Sequence, residues 1–391
     1  MDKYNFIVLA PNKWDGTWMN RQHIFSLLGK DHNVIYSNGP LFYWDYKLTR
    51  FKETSLLGHV SKRHNIKLLE FGKILTRVPR LKLLDKFIKF RFKRQIEKNL
   101  DPEKKTILYI FNPLFSEYID LFDHDLLVYH PYDDFSKLYS RGIAAQGNQR
   151  LATHSDIVIT TSNLLKQTYE QYSSNVNFVP NGVDYELFSN RTLSKTEVPE
   201  GKSKLKVGYT GSINSKIDVA LLLHVFEKLD QVDFFVVGSE GDLDSFQKSE
   251  MERLKALPNV HLLGKKTLGD VPSYMHIMDI NIIPYRTDPD SFANAGYPLK
   301  LHEYLAVGKP IICSPIDSAF EFQDVLHIKN TAEEWIDCIS AIEINEHEFS
   351  NEATQTRKNV AKQNTWQSRA SKIESLMRHE VPRKVTKALQ L

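Results

Sequence analysis

Residues 281–314, NIIPYRTDPDSFANAGYPLKLHEYLAVGKPIICS, decide how the chain folds. An apolar, β-branched run predicts a buried strand over Ile280–Ile283, followed by a polar loop rich in proline. A helix is expected from about Leu299 to Val307, and a second strand over Pro310–Ser314. The loop delivers Lys300 and Glu303 to the first turn of that helix. A strand end meeting a helix N-terminus in this way is where open α/β sheets bind anionic ligands.

The same rhythm runs outward in both directions. Upstream, LKVGY (205–209), DFFVVG (233–238) and NVHLL (259–263) read as buried strands, with helices over 219–228 and 273–278. The Gly211-Ser212 turn precedes a helix, so its amides could meet a phosphate. It is not a G-x-G-x-x-G fingerprint, which argues against a dinucleotide, and no P-loop occurs. In the N-terminal half, strands are expected at 5–10, 32–37, 106–111, 125–129, 157–160 and 176–179, and helices follow several of them. Alternating strands and helices in both halves predict an α/β protein of two Rossmann-like, doubly wound domains. Residues 189–204 are almost devoid of apolar side chains and read as the linker. The domains are therefore placed at 1–190 and 204–364. Beyond Ser314 come a weak strand (325–328), a helix over 333–344 and a helical tail interrupted at Asn364-Thr365-Trp366. The last ten residues, PRKVTKALQL, are basic and expected to be loose.

Three stretches of the first half carry possible chemistry. Gly16 lies in the strand-to-helix loop PNKWDGTWMN, where a backbone without Cβ can approach a phosphate, although a plain turn is the favoured reading. Trp14, Trp18 and Arg21 cluster there. His130, Asp133 and Asp134 follow the strand DLLVY at its C-terminal end, the edge where ligands sit. An aspartate there can serve a reacting hydroxyl or simply cap the next helix. Residues 73–98 hold ten basic residues against two acidic ones, Asp85 and Glu97. Leu81, Leu84, Ile88, Phe92 and Ile96 recur there at helical spacing, widened by Leu83, Phe87 and Phe90. Such a helix can lie on an anionic membrane or bury one face in the domain.

Composition sets the outer limits. With 391 residues, 41% hydrophobic and 25% charged, the chain resembles an ordinary globular protein. A net charge of +3 gives no reason to expect nucleic acid. Its two cysteines, in apolar surroundings, fit a reducing compartment and give neither a disulfide framework nor a zinc site. The first residues lack a signal-peptide pattern, and no apolar run approaches the roughly 18 residues of a membrane span. A cytoplasmic location is expected, with any membrane contact peripheral and at the inner face.

Taken together these segments resemble the glycosyltransferase B fold, and more narrowly family 4 of the glycosyltransferases, in the branch with teichuronic-acid and capsular-polysaccharide enzymes. WDGTWMNRQ, VYHPYDDF, VPNGVDYELF, GYTGSINSKID and YPLKLHEYLAVGKPII carry the resemblance, with His130 and Tyr132 as departures from the second motif. It implies two domains facing across a cleft, with the C-terminal helix, residues 365–391, returning to the first. It further implies a nucleotide diphosphate-sugar donor in the C-terminal domain, and a lipid-linked or polymeric glycan acceptor in the N-terminal one. The implied donor site is Gly16, Gly211, Ser212, Lys216, Pro298, Leu299, Lys300 and Glu303. Glu303 would take the ribose hydroxyls, while Lys300 and Lys216 would neutralise the diphosphate. His130 and Asp134 are the candidates for contact with the reacting sugar or acceptor hydroxyl.

Retention of configuration without metal or cofactor is the implied chemistry. A second glutamate of the family pattern is replaced here by Ala295, so the donor sugar cannot be carried over. Asp-Pro-Asp at 288–290 spells a metal motif of the other glycosyltransferase fold, but its proline and context do not fit that role. A same-fold epimerase and a non-catalytic nucleotide-binding subunit of a glycan-assembly complex are the alternatives.

Overall fold

Strands that are apolar throughout need cover on both faces, and the two parallel sheets of this chain supply it. The computed structural model describes residues 3–63, 65–139, 142–190, 205–288, 291 and 293–388. The strands are β1 (Asn5–Leu9), β2 (Asn33–Ser37), β3 (His59–Arg63), β4 (Ile66–Glu70), β5 (Thr106–Ile110), β6 (Leu126–Tyr129), β7 (Ile157–Thr160) and β8 (Val176–Phe178) in the first half. The second half adds β9 (Lys206–Thr210), β10 (Asp233–Val237), β11 (Val260–Leu262), β12 (Ile280–Ile283), β13 (Ile311–Cys313) and β14 (His327–Ile328).

The chain divides into two compact units. The first comprises 1–161, 165–179 and 369–391, and the second 162–164 and 180–368. The first carries one eight-stranded sheet in the order β3-β4-β2-β1-β5-β6-β7-β8, parallel except for the β3–β4 hairpin. The second carries a six-stranded parallel sheet in the order β11-β10-β9-β12-β13-β14. Each order reverses direction once, between β1 and β5 and between β9 and β12. Crevices at such switch points, beyond the strands' C-terminal ends, hold ligands in open α/β sheets.

In the second unit Val207, Phe234, Ile280 and Ile312 pack against Leu222 and Phe226 of one helix and Trp335 and Ile339 of another. Phe226 and Phe234 stack with centroids 4.1 Å apart. Each such buried side chain contributes about 1.5–3 kcal/mol relative to exposure. Residues 180–190, assigned by composition to the first domain, pack in the second unit. Val183 donates to the Asn364 carbonyl and accepts from Trp366, and a Cβ on Gly182 would meet the Thr365 backbone at 2.9 Å. The expected linker from 191 to 204 lies outside the described residues.

The tail is helical over Asn351–Gln363 and Trp366–Ala388, broken where Asn364-Thr365 was expected to interrupt it. From Arg369 onward it belongs to the first unit, where Glu374 meets His32 at 3.1 Å and Lys372 donates to the Phe178 carbonyl. The terminal residues expected to be loose continue the helix to Ala388. The β3–β4 hairpin was not anticipated, because β3 (HVSKR) is almost wholly exposed and has no apolar run. Its charged side chains suit a sheet edge.

Residues 73–98 depart from expectation in phase. The helix spans Lys82–Glu97, and Lys73–Leu75 form only a short 3-10 turn. Its buried face is Asp85, Ile88, Phe92 and Ile96. Arg77, 1% exposed, explains the aspartate, since its guanidinium donates to Asp85 at 2.7 and 2.8 Å and also pairs with Glu117. Leu81 sits ahead of the helix, and Leu81, Leu83, Leu84, Phe87 and Phe90 stay exposed. Among the described residues no helix is long and apolar enough to cross a membrane.

Candidate functional site

The helix Leu299–Val307 forms over its expected span. Gly308, with φ of 85°, closes it, because only glycine adopts that left-handed geometry without strain. At the other end Pro298 precedes the first turn, and no side chain caps the helix amides. Those orphan N–H groups and the helix dipole suit an anion. The loop before them is pinned by three side chains of its own unit. Ser162 Oγ donates to the Ala295 carbonyl (2.7 Å), Ser318 Oγ to Gly296 (3.0 Å), and Asn181 Nδ2 to Tyr297 (2.6 Å). The Pro-Asn-Gly turn therefore positions the helix start as well as reversing the chain. Ala295, 1% exposed, is core.

Lys300 is buried beneath the loop after β9, its Nζ donating to Tyr285 Oη (3.0 Å) and Tyr209 Oη (3.2 Å). Both rings also lie within 5 Å of the ammonium, 4.6 Å for Tyr209 and 4.9 Å for Tyr285. Burial opposes the charge, but the surrounding tyrosine oxygens outweigh it and hold the Lys300 pKa above the ordinary lysine range. No carboxylate forms an ion pair with it among the described residues. Gly211 belongs to the same cluster, since its φ is 141° and a Cβ there would meet Lys300 Nζ at 3.0 Å. Tyr304 Oη accepts from the Thr210 amide, tying the middle of the helix to the end of β9.

Glu303, one turn in, is half-buried and makes no hydrogen bond or ion pair among the described residues. Burial raises its carboxyl to about 7, against the opposing pull of Lys300. Ser212 Oγ is committed to the Ser239 carbonyl at 2.9 Å, and its own carbonyl accepts from Tyr209 Oη. The Lys216 backbone bridges the two loops, its amide bound by Asn214 Oδ1 and its carbonyl by the Arg286 amide. Arg286 pairs with Asp288 at 2.9 Å, while Pro289 and Asp290 of the Asp-Pro-Asp stretch lie outside the described residues.

The remaining candidates belong to the first unit. Gly16 is exposed, and its amide reaches the Lys13 carbonyl at 3.3 Å in a turn. His130 is 1% exposed at the end of β6, with Nδ1 2.7 Å from Tyr109 Oη, and burial pushes its pKa down to about 3. Asp134 caps the short helix Phe135–Leu138, its Oδ1 accepting from the amides of Ser136 and Lys137 and from the Ser136 hydroxyl. Trp14 is buried on Tyr36, and Trp18 lies edge-on to His23. Among the described residues no group of three or more His, Cys, Asp or Glu side chains is placed to hold a metal ion.

A family model described as glycosyl transferases group 1 matches residues 204–343. The core of the second unit is a glycosyl transferases group 1 domain. Over 193 residues the chain is also 31% identical to TuaH of Bacillus subtilis (strain 168), whose name describes a teichuronic acid biosynthesis glycosyltransferase. That alignment spans about half of each protein, 47% of this chain and 47% of TuaH.

Solved structures with the same architecture include HepE (Alr3699) of Anabaena in complex with UDP and glucose. It is 16% identical, covers 96% of this chain and 99% of its own, and gives a TM-score of 0.67. Sucrose-phosphate synthase of Thermosynechococcus elongatus gives 0.72 at 14% identity, covering 96% and 98%. The fold is thus that of the glycosyltransferase B proteins, as the sequence motifs implied. Within the second unit, sequence reasoning passed over Tyr209 and Tyr285, and it read Asn181 only as part of a turn. Tyr209 read as part of a buried strand and Tyr285 as part of a loop, and only the fold brings their hydroxyls to Lys300.

Proposed function

We propose that this protein transfers a sugar from a nucleotide diphosphate-sugar to a lipid-linked or polysaccharide acceptor in surface-glycan synthesis, with retention and without a metal. The observation that carries the proposal is the Lys300 ammonium. It is buried, held by two tyrosine hydroxyls instead of a carboxylate, and placed at an uncapped helix start beside Gly211. In the proposed reaction the bond from the anomeric carbon to the diphosphate oxygen breaks, the acceptor oxygen takes its place, and the acceptor hydroxyl's proton leaves with the departing diphosphate. Negative charge grows on the departing diphosphate, where a preorganised cation and free amides are most effective. Glu303, without a partner among the described residues, is suited to accept from the ribose hydroxyls. UDP is the first nucleotide to test, since HepE was solved with UDP and with UDP-glucose.

The decisive experiment measures binding and slow hydrolysis of UDP-, GDP- and dTDP-sugars by the intact chain. Lys300→Ala should lower turnover about 10²–10³-fold, and Glu303→Ala should weaken nucleotide binding. Binding without turnover, with any lipid-linked acceptor, would favour a non-catalytic subunit. No binding by any nucleotide-sugar would end the proposal.

We also propose that the first unit meets an anionic membrane through the helix Lys82–Glu97. Leu83, Leu84, Phe87 and Phe90 are exposed there beside Lys82, Lys86, Arg91 and Arg94. Phe90, Arg91 and Arg94 line a depression with Leu57, Phe71 and Leu75. Lys89 and Lys93 are less available, being paired with Glu117 at 2.6 Å and with Asp123 at 3.5 Å. Vesicles containing anionic lipid should co-sediment with the chain, less as salt rises, and less again when Lys82, Lys86, Arg91 and Arg94 become glutamine. Equal binding to neutral vesicles would sink the electrostatic part.

A further inference from the structure

The first unit has uncommitted polar atoms at its own switch point. The loop after β1 leads into the helix Asn20–Leu28, β5 runs into Phe111, and β6 runs into His130. Arg21, in the first turn of that helix, is only 4% exposed. Its guanidinium lies over the rings of Tyr132 (4.6 Å) and Phe111 (5.8 Å), and Phe111 stacks on His130 with centroids 5.0 Å apart. Neither Nε nor Nη1 of Arg21 has a hydrogen-bond partner, and it makes no ion pair among the described residues. A guanidinium stays charged at any working pH, and burying it unpaired is costly.

The neighbouring atoms are uncommitted too. Asn20 Nδ2 is buried without a partner, and so is His130 Nε2. Tyr109 Oη has no hydrogen-bond partner besides His130 Nδ1 among the described residues, and in the tautomer where that hydroxyl donates, the ring hydrogen resides on Nε2. Every one of these four atoms is then a donor. Arg77 in the same unit shows what a structural buried arginine looks like here. Its guanidinium is satisfied by Asp85, Glu117 and Tyr118 Oη.

We infer that Arg21, Asn20 and His130 form an oxyanion-binding subsite in the first unit, one that takes a phosphate or carboxylate group on a substrate. Asn12 Oδ1 is also buried without a partner, in the loop whose Asn12 carbonyl holds Tyr36 Oη, and it can accept from a hydroxyl beside that group. The subsite is independent of the donor reading, because it involves neither Lys300 nor Glu303.

The test titrates the intact chain with inorganic phosphate and, separately, with glucuronate, following melting temperature and tryptophan fluorescence. Chloride at matched ionic strength is the control. Wild type and Lys300→Ala should respond alike to one of the two anions. Arg21→Met should weaken that response about tenfold to a hundredfold, the usual worth of a charged hydrogen bond, and Arg21→Lys should recover part of it. A response to phosphate assigns a phosphorylated substrate, and a response to glucuronate a uronic acid. Because the unpaired charge is removed, Arg21→Met should melt no lower than wild type without ligand. If neither anion acts beyond chloride, or if Arg21→Met responds as wild type does, the inference falls. Should Arg21→Met not fold, that too overturns it, provided wild type shows no anion response.

Discussion

The two switch points solve the problem of a buried cation in opposite ways. In the second unit Lys300 is fully provided for before any ligand arrives, by Tyr209, Tyr285 and the aromatic faces around it. In the first unit Arg21 has ring faces beside it but no acceptor for Nε or Nη1. A tyrosine hydroxyl can solvate an ammonium while leaving its positive charge uncancelled, so Lys300 is held ready at little cost in stability. Arg21 has no such support, which makes it the better reporter of what the unit binds. The largest expected effect tests the first half of this contrast. Tyr209→Phe with Tyr285→Phe should leave the Lys300 ammonium poorly solvated and lower its pKa, reducing both nucleotide affinity and melting temperature. If the double variant keeps wild-type nucleotide affinity, the tyrosines are not what holds the cation in place.

A smaller effect concerns Glu303, the half-buried carboxyl of the second unit. Its pKa near 7 in the free protein means that it is partly protonated at neutral pH. Accepting ribose hydroxyls favours the carboxylate, so nucleotide binding should lower that pKa and release a proton. Affinity should therefore fall as pH drops through about 7 and level off above it. Glu303→Gln should flatten the profile and bind more weakly at pH 8. His130 of the first unit should add nothing in this range, since burial pushes its pKa down to about 3. Calorimetry in buffers of different ionisation enthalpy would detect the released proton. An identical pH profile for Glu303→Gln would assign the titration to another group.

The sequence read the second site better than the first, for reasons that lie in sequence distance. Lys300, Glu303, Pro298 and Gly308 are encoded within one helix and its ends, so spacing alone places them. Tyr209 is 91 residues from Lys300, and only the parallel register of β9 with β12 brings them together. Arg21 stood out only for clustering with Trp14 and Trp18 at a loop-to-helix junction, and nothing local shows that it is buried. The helix Lys82–Glu97 misled by phase. Its apolar repeat is real, but the Arg77–Asp85 pair occupies the buried face where a leucine was expected, which leaves Leu83, Leu84 and Phe87 outside. Strands were legible because parallel strands in both sheets are apolar on both faces. The hairpin strand β3 was not, because it is solvated on both.

The smallest expected effect separates a structural from a chemical carboxylate at the edge of the first sheet. Asp134 was a candidate for contact with the reacting sugar, and its Oδ1 is engaged by the amides of Ser136 and Lys137. Asparagine is as good an N-cap as aspartate, whereas alanine loses the cap at a cost of about 1 kcal/mol. Asp134→Ala should thus lower the melting temperature by about 2–4 °C, and Asp134→Asn should leave it unchanged. If capping is all that Asp134 does, Asp134→Asn should also keep the wild-type rate at saturating donor and acceptor. A rate loss of a hundredfold in Asp134→Asn at unchanged melting temperature would instead show that the charge acts on the substrate. The comparison would then shift, because the first unit would carry a reacting group beside its oxyanion subsite instead of binding alone.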